Sequence, residues 1–215
     1  MSDYPEIAAR FARDTAGHAM TVLFEQGLYR HLRFEATDGR GYRFDLHTSP
    51  NRLMFHGEVG TYVFSVWPTA DLFKVFSESS VSDRPNFGYW NEKLVAWSEP
   101  AIQFSTERFD EHVAKELAQA EEHFPGVTAA WCEHTEGFMA AYSTDSKETA
   151  REALAAFEYL PDGQWGEAWR FLAPYTSEWQ LDDYDWRYLW ACHAIVWGIG
   201  LSRLAEGAAG GEGRD

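Results

Sequence analysis

The stretch YRFDLHTSPNRLMFHG, residues 42–57, alternates apolar and polar side chains twice, with a break at Thr48-Ser49-Pro50-Asn51. Period-two alternation marks a strand with one face in a core and one in water, and a Ser-Pro-Asn break between two such runs marks a turn. Read as a hairpin, the stretch puts Phe44, Leu46, Leu53 and Phe55 on one face. Asp45, His47, Arg52 and His56 fall on the other.

The same pattern extends outward. GLYRHLRFEA (27–36) precedes the stretch across the turn TDGRG, and GTYVFSVW (60–67) follows it across GEVG. Four short strands with such turns predict an antiparallel meander. Pairing Ala36 with Tyr42, His47 with Arg52 and His56 with Thr61 sets a register. One predicted row is Phe34, Phe44, Phe55 and Tyr62, and the next is Leu32, Leu46, Leu53 and Phe64. Every member is apolar, and a one-residue slip would send all eight to water. This face needs a cover of helices.

The opposite face collects the polar groups. His31, His47, Arg52 and Ser65 form one expected row. Arg33, Asp45, Met54 and Val63 form the next, and Glu35, Arg43, His56 and Thr61 the third. A sheet wetted on one face produces such a neighbourhood without any function. The functional alternative is anion binding or acid–base work by clustered His, Arg and Asp. The candidate site on this face is His31, Arg33, Asp45, Arg52 and Ser65.

From Phe109 onward the period becomes helical. Phe109, Val113, Leu117, Ala120 and Phe124 share a stripe that Pro125-Gly126 ends. Val127, Trp131, Phe138 and Tyr142 continue the pattern. Asp145 with Glu148 resembles a capping box opening a helix to Leu160. Trp165, Trp169 and Leu172 stand at helical spacing. Asp182, Asp183 and Asp185 suit the start of a last helix. Its stripe is Trp186, Leu189, Trp190, His193, Val196, Trp197, Leu201 and Leu204. DLFKVFSES predicts a short helix after the sheet, while NFGYWNEKLVAWSEP reads as something compact and aromatic.

Composition bounds the function. The chain of 215 residues is 45% hydrophobic with ten Trp, so it can build a buried core. Acidic side chains outnumber basic ones 34 to 18, giving a formal net charge of −16. Such a field repels phosphate backbones, so nucleic-acid binding is not expected, and a protein partner, if any, is a basic one. Two cysteines, Cys132 and Cys192, are too few for a disulfide framework and suit a reducing compartment. The N-terminal segment is acidic and lacks the apolar run of a signal peptide. The apolar segment YLWACHAIVWGIGL is too short to span a bilayer.

Phosphate-loop, dinucleotide, zinc-protease and nucleophile-elbow motifs are absent. A zinc site from Cys132, His134, Cys192 and His193 is disfavoured, because helix neighbours such as Cys192 and His193 diverge. His193 reads as a hydrogen-bonded core histidine. No metal or cofactor is expected.

Several segments together resemble a family of phage and prophage proteins with no assigned activity. They are GLYRHLRF, FDL-x-T-x-P, G-x-x-GTYVFS, GYWNEKL and YLWACHAIVWGI. The matching positions are Gly27 to Phe34, Phe44 to Leu46, Thr48, Pro50, Gly57, Gly60 to Ser65, Gly88 to Trp90, Glu92 to Leu94, and Leu189 to Ile199. The chain departs from the pattern at His47, where the family tends to be apolar, at His56, and at Glu58, where it tends to Asp. The resemblance implies a viral or prophage origin, a role inside the bacterial cell, and His31, Arg33 and Asp45 as the stronger candidates.

The expected architecture is one α+β domain over residues 1–206. A four-stranded antiparallel meander (about 20–67) is covered on one face by C-terminal helices (about 106–206), and 207–215 form a flexible tail. The expected function is that of a cytoplasmic phage accessory protein that binds a host or viral protein, interfering with a defence or nucleic-acid-handling system. The alternative is a small enzyme or a nucleotide- or anion-binding protein using the polar sheet face.

Overall fold

The computed structural model describes residues 4–67, 70–80, 84–141, 146–163, 165–172 and 176–211. The chain is α+β, as expected, but its main sheet has six antiparallel strands rather than four. It divides into two compact units, Met1–Ala101 with Tyr184–Asp215, and Ile102–Asp183, where the sequence suggests one domain.

The first unit holds α1 (Pro5–Asp14), β1 (His18–Gln26), β2 (Tyr29–Ala36), β3 (Phe44–Ser49), β4 (Arg52–Gly57) and β5 (Gly60–Ser65). Then come α2 (Leu72–Ser79), α3 (Phe87–Asn91), β6 (Leu94–Trp97) and the last helix, α7 (Trp186–Gly211). Strand order follows the chain from β1 to β6. β1 escapes a period-two reading because Val22-Leu23-Phe24 is a continuous apolar run. The register shifts between Val22 and Phe24, so an irregularity interrupts the alternation there. β6 comes from the segment NEKLVAW, whose alternation is too short to read.

Two of the three expected registers hold: Phe34 pairs with Phe44, and Phe55 with Tyr62. The middle one does not. Ser49, not His47, lies opposite Arg52, so Leu46 meets Phe55 and Thr48 meets Leu53. The reason is a tighter turn than the four-residue loop assumed: Pro50-Asn51 closes it, with Asn51 at φ 58°, a left-handed conformation that Asn tolerates. A two-residue shift preserves which face each side chain takes. All eight predicted core residues are therefore buried together: Leu32, Phe34, Phe44, Leu46, Leu53, Phe55, Tyr62 and Phe64.

The cover on this face is α7 with α1, α2 and α3, not the whole helical half. Trp190 of α7 is its centre. Its ring meets Phe11, Tyr42, Phe44 and Phe55 edge-on at 5.0–6.2 Å, and its Nε1 donates to Asp14 at 3.1 Å. Gly198 lets α7 approach the sheet closely, since a Cβ there would stand 2.7 Å from Leu46 Cδ1 and 2.9 Å from Phe34 Cζ. Burial on α7 exceeds the expected stripe, taking in Tyr188, Ala191, Cys192, Ala194, Ile195 and Ile199, whereas Leu204 is exposed.

His193 is only part-buried, stacks on Phe11 and leaves its Nε2 without a hydrogen-bond partner, so it is not the satisfied core histidine expected. Burial lowers its pKa to about 4, which keeps it neutral. α7 also runs to Gly211, into the stretch expected to be a tail. Ala208 and Ala209 are the strongest helix formers there.

The second unit holds β7 (Ile102–Phe104), α4 (Thr106–Ala120), α5 (Val127–Ala141) and α6 (Lys147–Ala156), and ends within β8 (Asp182–Tyr184), which pairs with β7. The α4 stripe is as expected, with Phe109, Val113, Leu117 and Ala120 buried in this unit's own core with Trp131 and Phe157. The side chain of Phe138, and all of Tyr142 and Asp145, lie outside the described residues. α6 is capped by Ser146, whose Oγ accepts from Thr149 N, and it ends at Ala156 rather than Leu160.

No helix forms at Trp165, Trp169 and Leu172. Trp165 is exposed, and Trp169 forms a backbone bridge with Tyr159 across the turn at Pro161-Asp162-Gly163. The acidic run splits as well. Asp182 pairs with Lys147 and Asp183 with Arg108, and only Asp185 serves the last helix, accepting from Arg187 N at 2.7 Å. Among the described residues no helix is long and apolar enough to cross a membrane.

Candidate functional site

The polar face of the sheet is organised by β2, β3 and β4. Because side chains two apart share a face of a strand, Asp45 and His47 project together from β3. Pairing sets Arg33 opposite Asp45 and His31 opposite His47, as the sequence predicts. With the corrected register, Met54 rather than Arg52 continues the His31–His47 row, and His56 stands opposite Asp45.

Asp45 is the centre. It is 7% exposed, and two chargeable side chains, Arg33 and His31, bond to it. Arg33 grips the carboxylate with two bonds, Nε to Oδ1 and Nη2 to Oδ2, both at 3.0 Å. His31 Nε2 lies 2.9 Å from Oδ2. Burial pushes the Asp45 carboxyl pKa up, but the bonds and charges of Arg33 and His31 outweigh it, and the net shift is downward. The hydrogen bonds and charge of Asp45 in turn raise Arg33 above its ordinary value. His47 stacks on His31 with ring centroids 3.9 Å apart. Burial lowers the His47 pKa first, and the charge of His31 lowers it further.

Of the five candidates, His31, Arg33 and Asp45 come together. Arg52 and Ser65 face each other at the far end of β4 and β5, outside this group, because the tighter turn moves Arg52 along by two residues. His47 belongs to the group, although its departure from the family pattern argued against it. His31, Asp45 and His47 each present a ligand atom within 4.8 Å of the others, a set able to hold a metal ion. Sequence reasoning, expecting no metal, missed it; the signal was Asp-x-His on one strand opposite a second His on its neighbour.

One charged residue is structural instead. Arg30 lies on the covered face, binds both oxygens of Asp71 at 3.1 and 3.2 Å, and sits over the Phe73 ring. Asp71 in turn caps α2 by accepting from Phe73 N.

At one edge of the sheet, β1 exposes Val22 (47%), Leu23 (45%) and Phe24 (50%) in sequence. Phe24 pairs with His31, so this apolar edge adjoins the polar cluster. No family model, no curated protein and no solved structure matches the chain.

Proposed function

We propose that this chain is a phage or prophage accessory protein that works in the bacterial cytoplasm by binding a protein of the host or the virus. The observation that carries the reading is the β1 edge. A nine-residue edge strand with Val22, Leu23 and Phe24 each about half exposed is a template for an added strand. Edges of this kind are usually blunted by charge, proline or bulges; β1 has Glu25 as the sole charged residue between His18 and Gln26 and one irregularity at Val22–Phe24.

The occupant is an extended segment of a basic protein. The −16 formal charge opposes a second copy of this chain and attracts a partner of opposite sign. Basic proteins that handle nucleic acid, including those of defence systems, have that chemistry. The segments that resemble phage and prophage proteins support the cellular setting.

The test is affinity capture from infected cells with the wild-type chain and with Phe24→Lys, after confirming equal thermal stability. One partner captured by the wild type, lost with Phe24→Lys and released by salt, is expected. Equal capture by both would overturn the edge reading.

A second reading, a ligand site on the polar face, is favoured by one observation, the convergence of Arg33, His31 and His47 around the buried Asp45.

A further inference from the structure

We propose that His31, Asp45 and His47 form a binding site for one divalent first-row transition ion. The proposal is independent of the edge strand. Two imidazoles and one carboxylate suit such ions, and three protein ligands leave open positions for water or a substrate.

Distances carry the argument. Ligands about 2.1 Å from an ion stand roughly 3.0 Å apart at a right angle and roughly 3.4 Å apart at the tetrahedral angle. His31 Nε2 and Asp45 Oδ2 are 2.9 Å apart, matching adjacent positions of an octahedral ion. The ion takes the place of the hydrogen these two atoms now share. The third ligand atom, from His47, lies within 4.8 Å of both. The His47 ring, tilted 28° from that of His31, has to turn so that its lone pair points inward. Its half-buried position on an open sheet face leaves room for that rotation.

The surroundings have the form of a supporting shell. Ligating carboxylates are themselves hydrogen-bonded, and such partners orient the ligand. Arg33 does this for Asp45, with one bond to each oxygen, and its guanidinium offsets the carboxylate charge. Ion, carboxylate and guanidinium together carry a net charge of about +2, so the open positions favour an anionic ligand. The rigid part of the site rests on the paired strands β2 and β3, whose register the core face holds in place.

The test is titration of the tag-free full chain, stripped with chelator, with Co2+ alone, followed by visible absorption and thermal melting. One equivalent taken up, with cobalt bands and a raised melting temperature, is expected. His47→Leu and His31→Gln should each weaken uptake about a hundredfold or more while melting near the wild-type temperature without metal. Absence of saturable uptake by the wild type overturns the proposal. So does uptake undiminished in the variants, which would mark coordination by scattered surface groups. If His31→Gln does not fold, His47→Leu decides alone.

Discussion

The two faces of the six-stranded sheet respond differently to the same two-residue shift. On the covered face the shift exchanges one apolar neighbour for another, Leu46 meeting Phe55 instead of Leu53, and every core residue stays buried. On the polar face it changes the chemistry: Arg52 leaves the neighbourhood of His47 for Ser49, and His56 moves opposite Asp45. A core is defined by parity, whereas a site is defined by partners. Hydrophobic burial depends on area and not direction, while a hydrogen bond or a metal ligand requires particular atoms within tenths of an ångström.

The sharpest way to test this contrast is to damage the covered face. Trp190→Ala removes a fully buried indole that touches four aromatic rings and an Asp14 hydrogen bond. A loss of about 3–5 kcal/mol is expected from chemical denaturation. A loss under 1 kcal/mol would mean that the cover is not centred there.

Asp45→Ala strikes the polar face at its most buried point. The expected loss is smaller, about 1–2 kcal/mol, because Arg33 and His31 are each about one-third exposed and regain water. A loss as large as that of Trp190→Ala would show that the cluster, not the aromatic core, holds the strands.

The smallest effect tests the turn that decides the partners. Asn51→Ala should cost about 1 kcal/mol, since Ala pays for the left-handed conformation at φ 58°, while Asn51→Gly should be near neutral. Equal stability of all three forms would argue against the two-residue turn and for the longer loop.

These differences explain what could be read from the residues. The four central strands, their core face, the Arg33–Asp45 pair and α4 follow from periodicity, because each rests on a repeated pattern. β1 was hidden by its irregularity at Val22-Leu23-Phe24, and β6 by its brevity. Trp165 and Trp169 mimic helical spacing, but a Pro-Asp-Gly turn bends their segment into a bridge. The acids at 182–183 look like a helix start, yet Lys147 and Arg108, distant in sequence, claim them as ion-pair partners. The register predicts His47 opposite His31, but a sheet wetted on one face gives the same neighbourhood, so alternation alone does not mark the pair as a site.

The placement of α7 bears on how the chain matures. The helix that seals the sheet follows β5 by more than a hundred residues, with the whole of the second unit synthesised between them. At ribosomal speed that interval is about ten seconds. Throughout it the meander has emerged while Phe44, Phe55 and Tyr62 lack Trp190 and Tyr188. A nascent sheet with an open aromatic face is a substrate for trigger-type chaperones and for aggregation alike. The yield of this protein in cells should therefore depend on chaperone supply during translation more than on the stability of the finished fold.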